Sequence, residues 1–274
     1  MSFGDSFDGY CVIYAPFADS HRRKHFEAEL NRLGVRELTR IEAKRVDPDD
    51  PRLAPYINSH NPAGLLSLTD AIKATIRHAL EKGWESVVIM ESDVLFRKNF
   101  NRLWEEVEPE VKSSAWDLLT LYRRPGIFII EPALEKTRLL PMTDNAAFHC
   151  VIIRRSCYAP VEAALDYCAQ KGLFVSCSFG ILSRKFGRRL FCTSRNLAGQ
   201  AGDGFSSLSP GRFPYNNFYS SFRACRSPIE YLLIRSLYYL HRKFRGIAGR
   251  GLLLSADDQK PPEPGGDQPV QKER

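Results

Sequence analysis

The sequence lacks any hydrophobic run long enough to cross a membrane. A membrane-spanning helix needs about 20 consecutive apolar residues, and no stretch of this chain approaches that length. The first five residues, Met-Ser-Phe-Gly-Asp, also lack the basic segment and apolar core of a secretory signal peptide. We therefore expect a cytoplasmic protein with neither a membrane-spanning helix nor a signal peptide.

Two motifs that would assign a function directly are absent. No G-x-G-x-x-G follows the first predicted strand, which disfavours a Rossmann-type dehydrogenase or methyltransferase. No two cysteines have the C-x-x-C spacing of a zinc or redox site. Because most cysteines have apolar neighbours, we expect small buried side chains in a reducing compartment. The seven are Cys11, Cys150, Cys157, Cys168, Cys177, Cys192 and Cys225.

The composition is ordinary for a globular protein, but the charge is not balanced. Hydrophobic residues make up 43% and charged residues 26% of the 274 positions, which predicts one large domain, alone or with an extension. The formal net charge of +7 suits a nucleic acid, an anionic membrane surface or a phosphorylated substrate. Much of the excess lies between Arg223 and Arg250, outside the motifs described next.

The most informative segment is an apolar run that ends in two carboxylates. Residues 87–90, Val-Val-Ile-Met, predict a strand buried on both faces, and Glu91 and Asp93 follow it directly. In an open α/β sheet, ligands bind beyond the carboxyl ends of the strands. Two carboxylates there can hold a hard divalent cation together with water and substrate phosphates. The alternative is an ordinary solvated strand end.

Alternating strands and helices predict an α/β sandwich with a mostly parallel central sheet. A further helix has an apolar face from Leu65 to Ala79 and ends at Gly83, and residues 47–62 form a long loop of the kind that often serves as a lid. The other predicted strands are 10–15, 38–46, 116–122, 127–130, 148–153 and 189–193, and the other predicted helices are 20–33, 100–109 and 156–170, the last capped by Ser156.

The composition changes after residue 200, which predicts three regions. We expect a catalytic domain over 9–208, an irregular segment with a basic amphipathic helix over 209–250, and a disordered tail over 251–274. The helix at 228–247 carries basic residues on one side and apolar residues on the other, so it is either a peripheral membrane anchor or a helix packed on the domain. No nucleic-acid-reading module accompanies it, so we expect no nucleic acid partner.

Several segments of the sequence follow one another in a recognisable order and spacing. They are the first strand with its basic helix start (12–14, 21–24), the segment 40–43, the central helix and acidic block (64–83, 89–94), the strand start 116–119 and a weaker match at 197–207. On these segments the chain resembles glycosyltransferase family 25, which includes lipopolysaccharide biosynthesis galactosyltransferases. The likeness covers about residues 9–208, and none of the segments is decisive alone.

The resemblance implies a GT-A-like fold, a nucleotide-sugar donor and a divalent cation, typically Mn2+ (or Mg2+). Three departures accompany it. Leu68 stands where the family usually has His, Ser92 stands in the middle of what is usually Glu-Asp-Asp, and residues 173–179 offer no Asp. The loss of one carboxylate is expected to weaken metal binding, and the catalytic base stays unknown.

The residues expected to form the site come from four segments. Asp93 is the first choice as a metal ligand, and Glu91 shares its face because residues two apart on a strand do so. Arg22 and Arg23 lie beyond the first strand and can pair with phosphate, or else form the solvated face of a helix. The full set expected to bind the donor nucleotide sugar is Tyr14, Arg22, Arg23, Ser67 and Ser92.

Several of these positions have structural alternatives. Ser67 is more readily interpreted as a helix N-cap than as a substrate contact. Asp117 is interpreted as structural, and His149 as a satisfied imidazole inside an apolar strand rather than a ligand. Asp144 and Asn145 could contact the acceptor.

The acidic strand end and the resemblance together favour a metal-dependent glycosyltransferase (a hexosyltransferase), and the resemblance implies a role in envelope polysaccharide biosynthesis. Its expected acceptor is a saccharide or a lipid-linked saccharide, and its expected location is cytoplasmic, peripheral at the inner face of the membrane if 228–247 is an anchor. The alternative is a non-catalytic nucleotide- or saccharide-binding member of the same fold, which the departures at Leu68 and 173–179 favour.

Overall fold

The computed structural model describes residues 2–15, 20–56, 59, 61–122, 138–143 and 148–200, with the side chains of 20–22, 25 and 200 excepted. The predicted strand at 127–130, Asp144, Asn145, Cys225 and the regions 209–250 and 251–274 lie outside the described residues.

The described residues form nine strands and five α-helices. The first helix begins at Ser20, where the sequence predicts it. The strands are β1 (Gly9–Tyr14), β2 (Thr39–Glu42), β3 (Ser86–Glu91), β4 (Val94–Phe96), β5 (Leu118–Thr120), β6 (Leu139–Met142), β7 (Cys150–Arg154), β8 (Leu190–Thr193) and β9 (Ala198–Gln200). The helices are α1 (Ser20–Arg32), α2 (Pro62–Glu81), α3 (Phe100–Ser113), α4 (Tyr158–Gln170) and α5 (Cys177–Arg184).

Seven of the strands form one sheet in the order β2-β1-β3-β7-β5-β8-β6. β1 pairs in parallel with β2 and β3, and β5 pairs in parallel with β8, whereas β7 and β6 pair antiparallel with their neighbours. Five of the seven strands therefore point the same way. The predicted α/β sandwich with a mostly parallel sheet is confirmed, and it is consistent with the GT-A-like fold that the resemblance implies.

Two apolar layers cover the sheet. Alternate side chains of β1 and β3 point to opposite faces, so Val12 and Met90 pack with α1 and α3, while Ile13 and Ile89 pack with α2, α4 and α5. The central strands are buried on both faces, which explains why their sequences are continuously apolar. Burial of the cysteines is confirmed for five of them, namely Cys11, Cys150, Cys157, Cys168 and Cys192.

The helix around Pro109 is longer than predicted. We expected an end near this proline, but α3 continues to Ser113. The proline removes one backbone hydrogen bond, yet Val111 is 4% exposed in the core and the amide of Ser114 donates to the carbonyl of Glu110. Burial of the last turn therefore outweighs the lost hydrogen bond.

Three other boundaries also differ from the prediction. The strands expected at 38–46 and 116–122 shrink to β2 and β5, because each pairs over only three or four residues with its parallel neighbour. Ser156 does not cap α4. It lies in a 3-10 turn, Arg155–Cys157, and its hydroxyl donates to Asp117. The loop over 47–62 contains a 3-10 helix, Pro51–Tyr56, and ends where α2 begins at Pro62.

The sequence patterns did not predict the short elements α5, β4 and β9. α5 has only eight residues, too few to show helical periodicity. β4 and β9 have three residues each and form a separate two-stranded sheet between segments about 100 positions apart. Among the described helices, none combines the length and the apolar character that a membrane crossing requires.

Candidate metal and donor site

The two predicted metal ligands lie at the carboxyl end of the central strand. β3 ends at Glu91, whose amide donates to the carbonyl of His149 at 3.0 Å. The next amide, that of Ser92, donates to the carbonyl of Ile13 at 3.0 Å. The chain therefore leaves the sheet between β1 and β7, and Asp93 follows in the turn.

A histidine completes this cluster. His149 immediately precedes β7, which pairs antiparallel with β3. Its Nδ1 lies 3.0 Å from Glu91 Oε1 and 3.8 Å from Asp93 Oδ1. The three side chains are 15%, 19% and 16% exposed for His149, Glu91 and Asp93 respectively. All three side chains are therefore largely buried, and His149 Nδ1 and Asp93 Oδ1 are themselves covered by the surrounding protein.

The three residues fit a divalent cation. One ligand atom from each lies within 4.8 Å of the others. Donor atoms on opposite sides of an ion such as Mg2+ lie about 4 Å apart, since each bond is about 2.1 Å. Carboxylate oxygens suit Mg2+ and Mn2+, and imidazole suits transition metals. Glu91, Asp93 and His149 could therefore hold the cation that the resemblance implies.

Ser92 has a different environment from the two acids beside it. It is 7% exposed and lies between them on the buried side of the turn. A carboxylate at this position would be desolvated, which is costly without a partner. The side chain at position 92 is thus buried apart from the Glu91–Asp93–His149 cluster, in which His149 could supply a third donor.

The predicted donor-binding residues Tyr14 and Arg23 contact each other at the same edge of the sheet. The guanidinium of Arg23 lies over the Tyr14 ring, 4.5 Å from its centre. It also donates two hydrogen bonds to Glu42, at 2.7 and 2.8 Å, and these raise the pKa of Arg23. An incoming phosphate would therefore have to replace Glu42 as the partner of Arg23.

Tyr14 belongs to the opposite layer from the acidic cluster. Its ring packs with α1 and α3, whereas Ile13 pairs with Glu91 in the register and faces α2. The hydroxyl of Tyr14 donates to Glu27 at 3.1 Å. Burial, followed by the hydrogen bond to Glu27 and the charge on it, raises the pKa of Tyr14 to about 12. Tyr14 and the Glu91–Asp93–His149 cluster thus lie at the same edge of the sheet but on its opposite faces.

Ser67 is held by a structural contact in α2. Its hydroxyl donates to the carbonyl of Lys44 at 2.6 Å. The interpretation of Ser67 as an N-cap is wrong, because α2 begins five residues earlier and Asn61 caps it by accepting from the Gly64 amide. Proline at the first helical position favours this earlier start. The side chain of Arg22 lies outside the described residues.

His149 is the residue that the sequence interpretation missed. An isolated histidine beside an apolar strand gives no ligand signal by itself. The relevant signal is the antiparallel pairing of β3 with β7, which matches Met90 with Cys150. That register puts the residue before Cys150 beside the residue after Met90, and no local pattern in the sequence reveals it.

Comparisons with known proteins give little beyond this geometry. No protein-family model matches the sequence, and no curated protein matches it. One similar solved structure is a glycosyltransferase involved in the glycosylation of the major capsid of PBCV-1, with a TM-score of 0.33, 9% identity, and coverage of 59% of this chain and 66% of that one.

A second similar solved structure is mannose-1-phosphate geranyltransferase from Thermus thermophilus, with a TM-score of 0.33, 13% identity, and coverage of 69% of this chain and 75% of that one. Similarity at this level assigns no family, substrate or reaction to this chain. The match to the PBCV-1 capsid glycosyltransferase covers 66% of that chain, which is just under two thirds of its length.

Proposed function

We propose that the protein is a metal-dependent glycosyltransferase that moves a hexose from a nucleoside diphosphate sugar to a saccharide acceptor. The observation that carries the proposal is the convergence of Glu91, Asp93 and His149 at the carboxyl end of β3, with one ligand atom of each within 4.8 Å of the others. This edge of an α/β sheet is where ligands bind.

The chemistry of such a transfer matches this set of residues. The bond between the anomeric carbon and a phosphate oxygen breaks, and negative charge grows on the departing diphosphate. A divalent cation supplies Lewis-acid stabilisation of that charge. Asp93, Glu91 and His149 would hold the cation, and the 3.0 Å contact between His149 Nδ1 and Glu91 Oε1 brings two of these donors together. Arg23 supplies a second positive group once it exchanges Glu42 for phosphate.

The remaining predicted contacts belong to the donor nucleotide. We assign Tyr14, Ser67 and Ser92 to this role together with Arg22 and Arg23. The guanidinium of Arg23 stacks on the ring of Tyr14, so the group proposed to bind phosphate lies beside an aromatic ring. The hydroxyl of Ser67 already bonds to Lys44, so it would have to give up this partner.

The finer assignment rests on the resemblance to glycosyltransferase family 25. It extends the proposal to Mn2+, to envelope polysaccharide biosynthesis, and to a saccharide or lipid-linked acceptor at the cytoplasmic face of the membrane. The basic helix predicted at 228–247 would then provide a peripheral membrane contact. The region 9–208 would be the catalytic domain, followed by 209–250 and the tail 251–274.

A non-catalytic nucleotide- or saccharide-binding protein is the second candidate. It is favoured by the segment 173–179, which leads into α5 at the same edge of the sheet and carries no carboxylate. A base for deprotonating an acceptor hydroxyl is therefore not supplied from that segment. Such a protein would bind the donor and the cation without turning the donor over.

The test measures Mn2+ binding by calorimetry and release of nucleoside diphosphate from a panel of uridine and cytidine diphosphate sugars. We expect slow Mn2+-dependent donor hydrolysis by the wild type. Asp93→Asn should weaken Mn2+ binding by more than about 100-fold, because loss of even an outer partner of a metal ligand typically costs about 10- to 100-fold.

The matched control is Glu81→Gln. This exposed carboxylate lies at the C-terminal end of α2, at the opposite edge of the sheet, and its loss should change neither Mn2+ binding nor hydrolysis. Unchanged turnover in Asp93→Asn would exclude the metal-dependent mechanism. Binding of donor and Mn2+ without release of nucleoside diphosphate would assign the non-catalytic function.

A further inference from the structure

Phe174 exposes an aromatic ring in the turn between α4 and α5. The residue is 50% exposed. Among the described residues, only Phe174 and Leu80 are large hydrophobic residues that are exposed. Single exposed apolar side chains are common on protein surfaces, so the position and the rigidity of this turn must decide whether Phe174 has a role.

The backbone on both sides of Phe174 is fixed. The amide of Leu173 donates to the carbonyl of Cys168 at 2.8 Å, and the amide of Cys177 donates to the carbonyl of Phe174 at 2.8 Å. The neighbouring Val175 is 4% exposed in the core. The ring is therefore displayed from an ordered turn, and ordering it for a ligand would cost little conformational entropy.

A second contact anchors the same turn to the loop that precedes α2. Gly172 has a φ of +62°, and a Cβ at this position would lie 1.9 Å from the carbonyl oxygen of Pro55. The turn therefore lies directly against the 3-10 helix Pro51–Tyr56. This 3-10 helix and the α4–α5 turn form one continuous surface.

This surface lies at the edge of the sheet that carries the metal cluster. α4 starts at the opposite edge, where the Tyr158 hydroxyl donates to the carbonyl of Trp84 just before β3, so its C-terminal end and the following turn lie at the carboxyl edge. Within α5, the Phe179 ring lies 5.2 Å from the ring of Phe148. Phe148 directly precedes His149, so the start of α5 packs against the segment that carries His149, and the turn that displays Phe174 leads into that helix at the same edge of the sheet.

We propose that Phe174 is the stacking platform for the acceptor saccharide. This inference rests on the proposed function and adds the acceptor subsite to it. A pyranose ring has an apolar face of C–H groups, and an aromatic ring flanked by polar groups suits such a face. The exposed Lys171 and the half-buried Ser176 flank Phe174 and can bond sugar hydroxyls. A membrane-inserting surface would instead present several apolar side chains together.

The test is saturation kinetics of nucleoside diphosphate release with acceptor probes, namely methyl β-glucoside, methyl β-galactoside, N-acetylglucosamine and lactose. Phe174→Ala should raise the KM for the best of these by about 3- to 10-fold, the amount expected for a lost aromatic contact. The effect should fall on the acceptor KM rather than on the donor KM. Phe174→Tyr keeps an aromatic ring and should keep the wild-type acceptor KM. Phe174→Leu removes the ring and should show the raised acceptor KM.

Leu80→Ala is the matched control, because it removes the other exposed apolar side chain at the far end of α2. Saturation-transfer NMR with the same saccharides tests the platform without turnover. Equal saccharide binding by wild type and Phe174→Ala, or full rescue by Phe174→Leu, would overturn the inference. Failure of donor hydrolysis with retained, Phe174-dependent saccharide binding would instead refute the transferase and leave the subsite standing.

Discussion

For His149, the role suggested by its sequence neighbours differs most from the role suggested by its neighbours in space. Its sequence neighbours are apolar, so the sequence alone predicts a satisfied core imidazole. The structure places its Nδ1 3.0 Å from Glu91 Oε1. Glu91 and Asp93 could be selected as ligands from sequence, because they share one strand end. His149 comes from a segment more than 50 positions later, and only the pairing of β3 with β7 brings it there.

Asp117 shows the opposite case, in which the structural interpretation from sequence agrees with the contacts observed. Its Oδ1 accepts from the Ser156 hydroxyl at 3.1 Å, and its Oδ2 accepts from the backbone amide of Arg189 at 2.9 Å. Burial alone would raise the pKa of Asp117, but the hydrogen bonds from Arg189 and Ser156 outweigh it and the pKa is lowered.

Replacement of Asp117 should therefore destabilise the protein in a pH-dependent way. We expect Asp117→Asn to lower the free energy of unfolding by about 1–3 kcal/mol at neutral pH, the cost of leaving buried partners unsatisfied. Because the folded-state pKa is depressed, this contribution is complete above the ordinary value of 3.8 and is lost as the pH falls through the lowered value.

Urea unfolding of both proteins across the acid range measures this difference. The exposed Asp49→Asn serves as the control and should behave like the wild type. A stability difference that stays constant into strongly acidic solution would contradict the ionic role of Asp117.

At the scale of elements, the long helices and the buried strands followed from sequence patterns, whereas short elements did not. α2 shows a regular apolar face, and Gly83, two residues beyond its last residue Glu81, has a φ of +70°. β1 and β3 are continuously apolar because helices cover both faces of the sheet. α5 and β4 are too short for a periodic signal, and their positions depend on partners elsewhere in the chain.

Two glycines that follow helices differ in whether tertiary packing adds to the cost of replacing them. Gly83 has a φ of +70° with no atom within 4 Å of a would-be Cβ, while Gly172 has a φ of +62° and faces Pro55. Gly83→Ala should cost about 1–2 kcal/mol, the strain of a left-handed residue. Gly172→Ala should cost distinctly more, because the Pro55 backbone must move. Urea denaturation of the two variants compares them, and equal losses would show that the α4–α5 turn is not tightly packed on the loop.

At the scale of the whole molecule, the net charge of +7 and the basic segment after residue 222 suggest an anionic surface as a partner. The peripheral membrane contact proposed for 228–247 rests on this charge. Each basic residue near an anionic membrane contributes about 1 kcal/mol. Replacing four of them by Gln in the full chain should therefore remove most vesicle binding. The four are Arg235, Arg242, Lys243 and Arg245.

Flotation with phosphatidylglycerol-rich liposomes measures this binding, and uncharged phosphatidylcholine liposomes give the baseline. If the wild type and the four-residue variant float equally well with the anionic liposomes, the basic segment 228–247 does not act as a membrane contact.

The sequence by itself determined the α/β class, the buried central strands and the position of two carboxylates at a strand end, since these depend on patterns among neighbouring residues. Tertiary structure decided the rest. The antiparallel insertion of β7 beside β3 brought His149 to Glu91 and Asp93, the register placed Glu42 against Arg23, and the packing of Gly172 on Pro55 fixed the turn that displays Phe174. Each of these contacts joins different segments of the chain, and the strand order, the strand register and the helix packing that create them leave no mark in a local pattern.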